Sequence, residues 1–485
     1  MFESPPLAPT SIDVPVSEGT DVVLDPTVRF HGDRLISGGS PWRLLRLSRS
    51  SRELVASWRS GGVVRAHEGS LARTLVNRGF LHPSYPALPE IDDVDVVIPV
   101  KDDVEALSRL LSALDGLPVT VIDDGSRDAQ AVASVVRERS ATLIRVDDNQ
   151  GPAAARNIGV MATRRPFICF IDADVIMRDA STTLARLRSH FNDPLVGAVG
   201  ARVRGQNGTS ARERFESSFG PLDLGASTAL VTPHAPVAYV PAACLMTRRA
   251  AIGSGFDESL RHGEDVDLVW RLSDSGWLVV HDATAEVQHP ARRSWRRWAT
   301  QRVGYGRSAA ELKSRHPEHL ETVRVDAWTL GTWVAMLTGH PRIAFAVMAS
   351  ARRSLIAQLP EVTDDPGTVA DQIVVAGIAR AGLPLARALT RSYAPVLIAA
   401  AFVPRLRRPA LIILGAGTFA RLRRRRGFDL REVPLSLADD LAYSTGLFIG
   451  AAQTRRWDVL APRVTGSTAG LRAAIGRTQS RSPRR

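Results

Sequence analysis

From residue 94 to about 315, short apolar runs alternate with stretches in which apolar positions recur every three or four residues. VDVVIPV (94–100), VTVIDD (119–124), TLIRVDD (142–148) and PFICFIDADV (166–175) read as buried strands. DDVEALSRLLSALDG, AQAVASVVRERS and PAAARNIGVMAT between them read as amphipathic helices. Apolar strands of this length alternating with helices predict an α/β domain over 92–315, a mostly parallel sheet covered on both faces.

The flanking regions follow different rules. VVLDPTVRF and GDRLISGG predict a pair of short strands joined by a Gly turn. WRLLRLSRSSRELVASW predicts two helical turns or more, and LARTLVNRGFL a helix that stops at Gly79. Together they suggest a small winged-helix-like α+β module over 21–85, after a loose leader (1–20) and before a stiff linker containing Pro83, Pro86 and Pro89. Residues 325–460 read as helical. The apolar runs APVLIAAAFV (394–403) and ALIILGAGTFA (410–420) are each shorter than the roughly 20 residues that cross a bilayer. They fit either half-length helices lying in a membrane interface or a buried helical pair. Residues 463–485 form a polar, Arg-bearing tail expected to be disordered.

Charge sharpens this division. Residues 401–485 carry 17 Arg against 5 Asp or Glu, which is the whole of the chain's net +12. The α/β region is therefore close to neutral, which argues against a nucleic-acid partner and for an anionic membrane surface near the tail. Cys169 and Cys244 are the only cysteines, so neither a disulfide framework nor a multi-cysteine zinc site is expected, and a reducing compartment follows. The opening residues lack the basic and apolar stretches of a secretory signal. A cytoplasmic location, peripheral on the inner face of the membrane, is the expectation.

The candidate chemistry lies at strand ends. In FIDADV, Asp172 and Asp174 follow an apolar strand and share one face. Ligands of open α/β sheets bind outside such carboxyl edges. Two carboxylates would repel a diphosphate there unless a divalent cation lay between them, and oxygen ligands favour Mg²⁺ or Mn²⁺. Asp123 and Asp124 end another strand, where an acid can meet a ribose or base edge, or simply cap a turn. Pro99 closes the first strand, where its missing N–H does least harm. Arg156 and Asn157, in GPAAARNIG, could face a phosphate or nucleotide. GEDVDL places Glu264 and Asp265 at a helix start, either as dipole-stabilising acids or as a general base for an attacking hydroxyl. His289 follows a short strand and could complete a metal site. Gly304 and Gly306 flank Tyr305, which suggests a flexible segment, downstream of an Arg cluster containing Arg302 that could hold a leaving diphosphate.

IPVKDD, VIDDGS, GPAAARNIG, FIDADV and GEDVDL occur in that order, and this region resembles the family 2 glycosyltransferases of the GT-A fold. The resemblance implies a nucleoside contact at Asp124 or Asp123, a metal and nucleotide-sugar motif at Asp172 and Asp174, an inverting base at Asp265, a metal ligand at His289 and a mobile acceptor or diphosphate loop at the Gly304-Tyr305-Gly306 segment. The Gln-x-x-Arg-Trp sequence of processive synthases is absent, which leaves the part of Gln301 and Arg302 open. The N-terminal module resembles winged-helix domains that bind ribosomal peptide precursors. With the transferase region it is similar to the mycofactocin-system glycosyltransferases. That implies glucosyl transfer from UDP-glucose to a peptide-derived redox cofactor, with a precursor peptide or partner protein at the N-terminal module. Three other readings are a transferase acting on a lipid or cell-wall glycan at the membrane, a non-catalytic peptide-binding scaffold, and a dinucleotide enzyme using the Gly415-x-Gly417-x-x-Ala420 spacing.

Overall fold

A computed structural model of the chain describes residues 8–9, 14–32, 34–86, 91–292, 294–359, 365–423 and 429–466; most of the leader and nearly all of the Arg-bearing tail lie outside them. The described residues form two compact units. One draws on Met1–Val23, Gly61–Trp298 and Glu311–His319, the other on Leu24–Ser60, Ala299–Ala310 and Leu320–Arg485. Residues 21–85 thus contribute to both.

The first unit is built on an eight-stranded sheet. Val94–Val100 lies parallel to Val119–Asp124 on one side and to Phe167–Ile171 on the other, and Thr142–Val146 continues the parallel run. Cys244–Arg248 then enters antiparallel between Phe167–Ile171 and Val196–Gly205. Leu278–His289 pairs parallel with Val196–Gly205, and Ala229–Val231 closes that edge antiparallel. The sheet is mixed because the return strand Cys244–Arg248 needs no crossover helix to sit in its place.

The central strands are apolar on both faces because helices cover both. Val96, Ile98, Leu107, Leu111, Val121, Cys169 and Leu184 are buried in one cluster. Truncating one such leucine costs roughly 2–5 kcal/mol. Asp95 is tolerated in this core because its carboxylate accepts the Arg164 and Arg165 backbone N–H groups at 2.9 and 2.8 Å. Asp103, Asp128 and Asp179 cap the helices that follow three strand ends, each accepting a backbone N–H three residues on. A separate small sheet orders Gly62–Val63, Asp21–Leu24 and Leu81–Ser84.

The second unit contains a three-stranded antiparallel sheet, Arg29–His31, Leu35–Gly38 and Arg43–Arg46. Within the stretch 42–58 the helical turns cover Arg49–Ser57 only. Leu44 and Leu45 belong to a strand, and Ser48 starts the helix Arg49–Ser57 by accepting the Ser51 N–H. Leu35 and Leu44 share a core with Leu355, Leu359 and Val369 of the helical region.

The long helices here are Pro341–Ile356, Ala376–Ala400, Arg407–Leu422 and Val433–Thr454. The run 394–403 is thus not a half-length element but the end of a 25-residue helix with a kink at Tyr393. The arginines that interrupt its apolar pattern are accommodated: Arg387 pairs with Asp440, and Arg391 lies near Asp439 and over the Tyr443 ring. Pro366–Ala400 is one continuous helical segment long and apolar enough to cross a membrane by length and composition. The Gly415–Ala420 spacing lies inside a helix with no preceding strand, and Gly417 packs on Ala386 and Thr390. That excludes the dinucleotide loop.

Candidate active site

The site begins with Asp124, at the end of Val119–Asp124. Its two carboxylate oxygens accept the backbone N–H groups of Gln150 and Gly151 at 2.7 and 2.9 Å. Gly151 has φ +101°, a left-handed value that suits glycine, and it caps the helix Pro152–Ala162. Asp124 therefore fixes where that helix starts and where Arg156, one turn along, points.

Arg156 is buried and joins two motifs far apart in sequence. Its Nη2 donates to Asp172 Oδ1 and its Nη1 to Glu264 Oε1, both at 2.7 Å. The Phe256 ring lies 5.3 Å from its guanidinium carbon. Burial alone would disfavour its charge, but Asp172 and Glu264 outweigh that and hold it protonated.

Asp265 is the neighbour of Glu264 at the start of the helix Glu264–Asp274, which Gly263 opens with φ +84°. Its Oδ2 accepts the Ala242 N–H at 3.2 Å and its Oδ1 the Val266 N–H at 2.8 Å. Asp265 keeps a partial opening to solvent yet is ringed by protein. That desolvation, and then the Glu264 charge, push its carboxyl up to about 7, against the pull of Arg156 and the two N–H groups. A carboxylate poised near neutrality is what a general base requires.

Asp174 and His289 form the second half of the site. His289 Nε2 is 3.2 Å from Asp174 Oδ1, and Arg292 Nη1 is 3.6 Å from Asp174 Oδ2. Burial resists charge on both groups, but the pairing prevails: Asp174 is lowered and His289 raised from their ordinary values. His289 Nδ1 donates to the Pro290 carbonyl at 2.9 Å, which turns Nε2 toward Asp174. Adjacent oxygen and nitrogen ligands of an octahedral ion with bonds of about 2.1 Å sit about 3 Å apart, so Asp174 and His289 fit one small divalent cation.

Asp172, Asp174, Glu264, Asp265 and His289 thus gather at one sheet edge. Other expected residues do not join them. Asp123 is fully buried. Its oxygens accept the Ser126 N–H and pair with Arg145, so it shapes the turn rather than offering a nucleoside contact. Asn157 does not face a phosphate; its amide donates to Phe256 O and Glu258 and accepts the Phe256 N–H, holding the loop before Gly263. Arg156 likewise serves the two carboxylates. Pro99 pairs in register with Ile122 near the strand end.

The flexible loop expected at 304–306 is helix, within Trp295–Arg315. Gly306 is there for packing: a Cβ would lie 1.9 Å from the Tyr443 carbonyl oxygen. Arg302 belongs to the second unit, buried against Asp439, and Tyr305 accepts from Gln301. The Ala242 N–H, which sequence reading missed, had no signal to find it, since every residue but proline carries one.

Residues 95–255 match the model of glycosyl transferase family 2. Fold, site and match define a glycosyltransferase of the GT-A architecture. Over 467 residues the chain is 36% identical to the pre-mycofactocin glycosyltransferase of Mycobacterium tuberculosis, covering 92% of this chain and 98% of that protein. The chain belongs to the family 2 glycosyltransferases of the mycofactocin system. It is also 30% identical, over 51% of its length and 92% of the relative's, to an N-acetylglucosaminyl-diphospho-decaprenol L-rhamnosyltransferase from the same organism. A mannosyltransferase from Pyrobaculum calidifontis, solved with GDP-Man and Mn²⁺, superposes with a TM-score of 0.38 at 16% identity, covering 68% of this chain and 89% of the other.

Proposed function

We propose that the chain transfers a glucosyl group from UDP-glucose, with inversion, to a peptide-derived redox cofactor of the mycofactocin type, building a short β-linked oligosaccharide. The observation that carries the reaction is Asp265, poised near pH 7 beside the carboxylates that Arg156 ties together. Near-full-length similarity to a pre-mycofactocin glycosyltransferase supports the acceptor class. UDP-glucose rests on the family resemblance.

In this reading Asp265 takes the proton of the acceptor hydroxyl as its oxygen bonds to the anomeric carbon, and the bond from that carbon to the diphosphate breaks on the opposite face. Asp174 and His289 would hold Mg²⁺ or Mn²⁺, which supplies charge stabilisation to the departing diphosphate. Arg292, beside Asp174, adds positive charge on the same side. Asp172 and Glu264, fixed by Arg156, keep Asp265 and Asp174 in register. Mass spectrometry of products from a UDP-sugar panel with a mycofactocin-type acceptor tests donor, acceptor and chain length. Asp265→Asn should lose transfer and keep UDP-sugar binding; lost binding with normal turnover of bound donor would reject the base.

Exposed apolar residues favour a second reading, a lipid-linked acceptor at a membrane surface. Phe402 is 84% and Leu406 51% exposed, on a stretch that also carries Arg405, Arg407 and Arg408. Apolar tips beside arginines suit an anionic bilayer. Co-sedimentation with phosphatidylserine vesicles, lost in Phe402→Ser, tests the surface, and a polyprenyl-linked glycan in the acceptor panel tests the substrate. The N-terminal residues are proposed to hold the precursor peptide or a partner protein, with exposed Trp42 as a contact. Because Leu35 and Leu44 share a core with Leu355, Trp42→Ala tests this better than deletion does. It should impair transfer to the natural acceptor more than donor hydrolysis.

A further inference from the structure

We propose that Asp274, His316 and His319 form a second divalent-cation site, suited to Zn²⁺, that clamps the far end of the helix carrying Asp265. One ligand atom from each residue lies within 4.8 Å of the others. His319 Nε2 is 2.7 and 2.9 Å from the two Asp274 oxygens, and His316 Nδ1 is 4.0 Å from Asp274 Oδ2. Zinc bonds of about 2.0–2.2 Å in a tetrahedron place ligand atoms about 3.4 Å apart, between those separations. Small rotations of Asp274 would bring all three onto one ion.

The surroundings are those of a built site. His316 Nε2 donates to Asp267 Oδ1 at 2.9 Å, so Nδ1 is the atom free to ligate. A carboxylate behind a ligating imidazole fixes its tautomer and strengthens it as a ligand. Arg271 pairs with the same Asp267 and holds it in place. The two imidazoles stack at 5.6 Å with 15° between their planes, and Trp270 meets both edge-on at 5.2 and 5.7 Å. Both rings are therefore preset in orientation. His316 is buried and Asp274 is exposed, which leaves an access route and room for a water ligand. Two nitrogen donors and one carboxylate favour Zn²⁺ over Mg²⁺. The Asp274–His319 ion pair alone accounts for neither the orientation of His316 Nδ1 nor the carboxylate behind it.

The placement gives the site a task. Asp274 ends the helix that Glu264 and Asp265 begin. His316 caps the C-terminus of Trp295–Arg315, and His319 follows in the next turn. An ion here joins the two helix ends and steadies the base from behind.

The test uses the full chain, stripped with chelator and dialysed, then titrated with Zn²⁺ and separately with Co²⁺. Wild type should bind one more tight Zn²⁺ than His319→Gln or Asp274→Asn, give tetrahedral Co²⁺ bands that those variants lack, and gain a Zn²⁺-dependent rise in Tm that they lose. His319→Cys, which keeps a zinc ligand, should retain all three. Asp267→Asn should weaken Zn²⁺ binding roughly 10–100-fold. His289→Ala should leave this Zn²⁺ in place. Equal zinc stoichiometry and equal Tm rise in wild type and His319→Gln would overturn the proposal, as would loss of the zinc in His289→Ala or no zinc bound by wild type at micromolar concentration.

Discussion

Replacing Glu264 by Gln isolates the electrostatics of the base. The Asp265 carboxyl stands at about 7 instead of 3.8, an elevation of about 3 pH units, or about 4 kcal/mol. Burial is the larger cause and the Glu264 charge the next. Removing that charge also frees Arg156 from one of its two carboxylates, which strengthens its pull on Asp265. Both effects lower the pKa. The assay is kcat/KM against pH at saturating Mn²⁺, which reports the free enzyme's base without a contribution from His289. Wild type should fall about tenfold per pH unit below a midpoint near 7. In Glu264→Gln the midpoint should move below that of wild type. At pH 6 wild type should retain about a tenth of its own plateau, and the variant a clearly larger share of its own. An unchanged or raised midpoint would refute the assignment of the limb to Asp265.

The same pKa predicts a stability effect. A carboxyl raised from 3.8 unfolded to about 7 folded contributes stability that is complete below pH 3.8 and lost as pH rises through 7. At pH 8 the inactive Asp265→Asn should therefore unfold with roughly 1–3 kcal/mol more difficulty than wild type, measured by urea titration, and show no gain at pH 4. Arg156→Met should cost about 3–5 kcal/mol, read by the same titration, because Asp172 and Glu264 lose their buried partner. Asp174→Ala or His289→Ala should raise the Mn²⁺ concentration for half-maximal transfer at least about tenfold; unchanged activity in excess chelator would exclude the metal. Gly306→Ala should lower Tm, since its Cβ would collide with the Tyr443 carbonyl, at a cost of about 1–3 kcal/mol.

Much of the fold was legible because each central strand is apolar on both faces and ends in a polar turn, a pattern that few architectures other than a covered α/β sheet satisfy. The chemistry of FIDADV and GEDVDL was legible for a related reason: carboxylates placed directly after an apolar run, or packed at a helix start, serve either as a cap or dipole partner or as a ligand or base. The helical reading of 304–306 was out of reach. Two glycines beside a tyrosine signal freedom in an isolated segment, and only the Tyr443 backbone packed against Gly306 turns them into a helix contact. The strand at 43–46 escaped for the opposite reason, since apolar 44, 45 and 47 fit a short strand and a helix face equally well.

The amino-acid sequence by itself determined the α/β class, the order of the transferase motifs and which carboxylates were candidates, because apolar periodicity and motif spacing are local properties. Tertiary structure alone decided the roles within the set. Glu264 and Asp265 are adjacent acids with like side chains; Arg156, 108 residues away along the chain, pairs with one and leaves the other desolvated and near neutrality. A pKa is set by everything within a few ångströms, and those neighbours come from parts of the chain that only folding brings together.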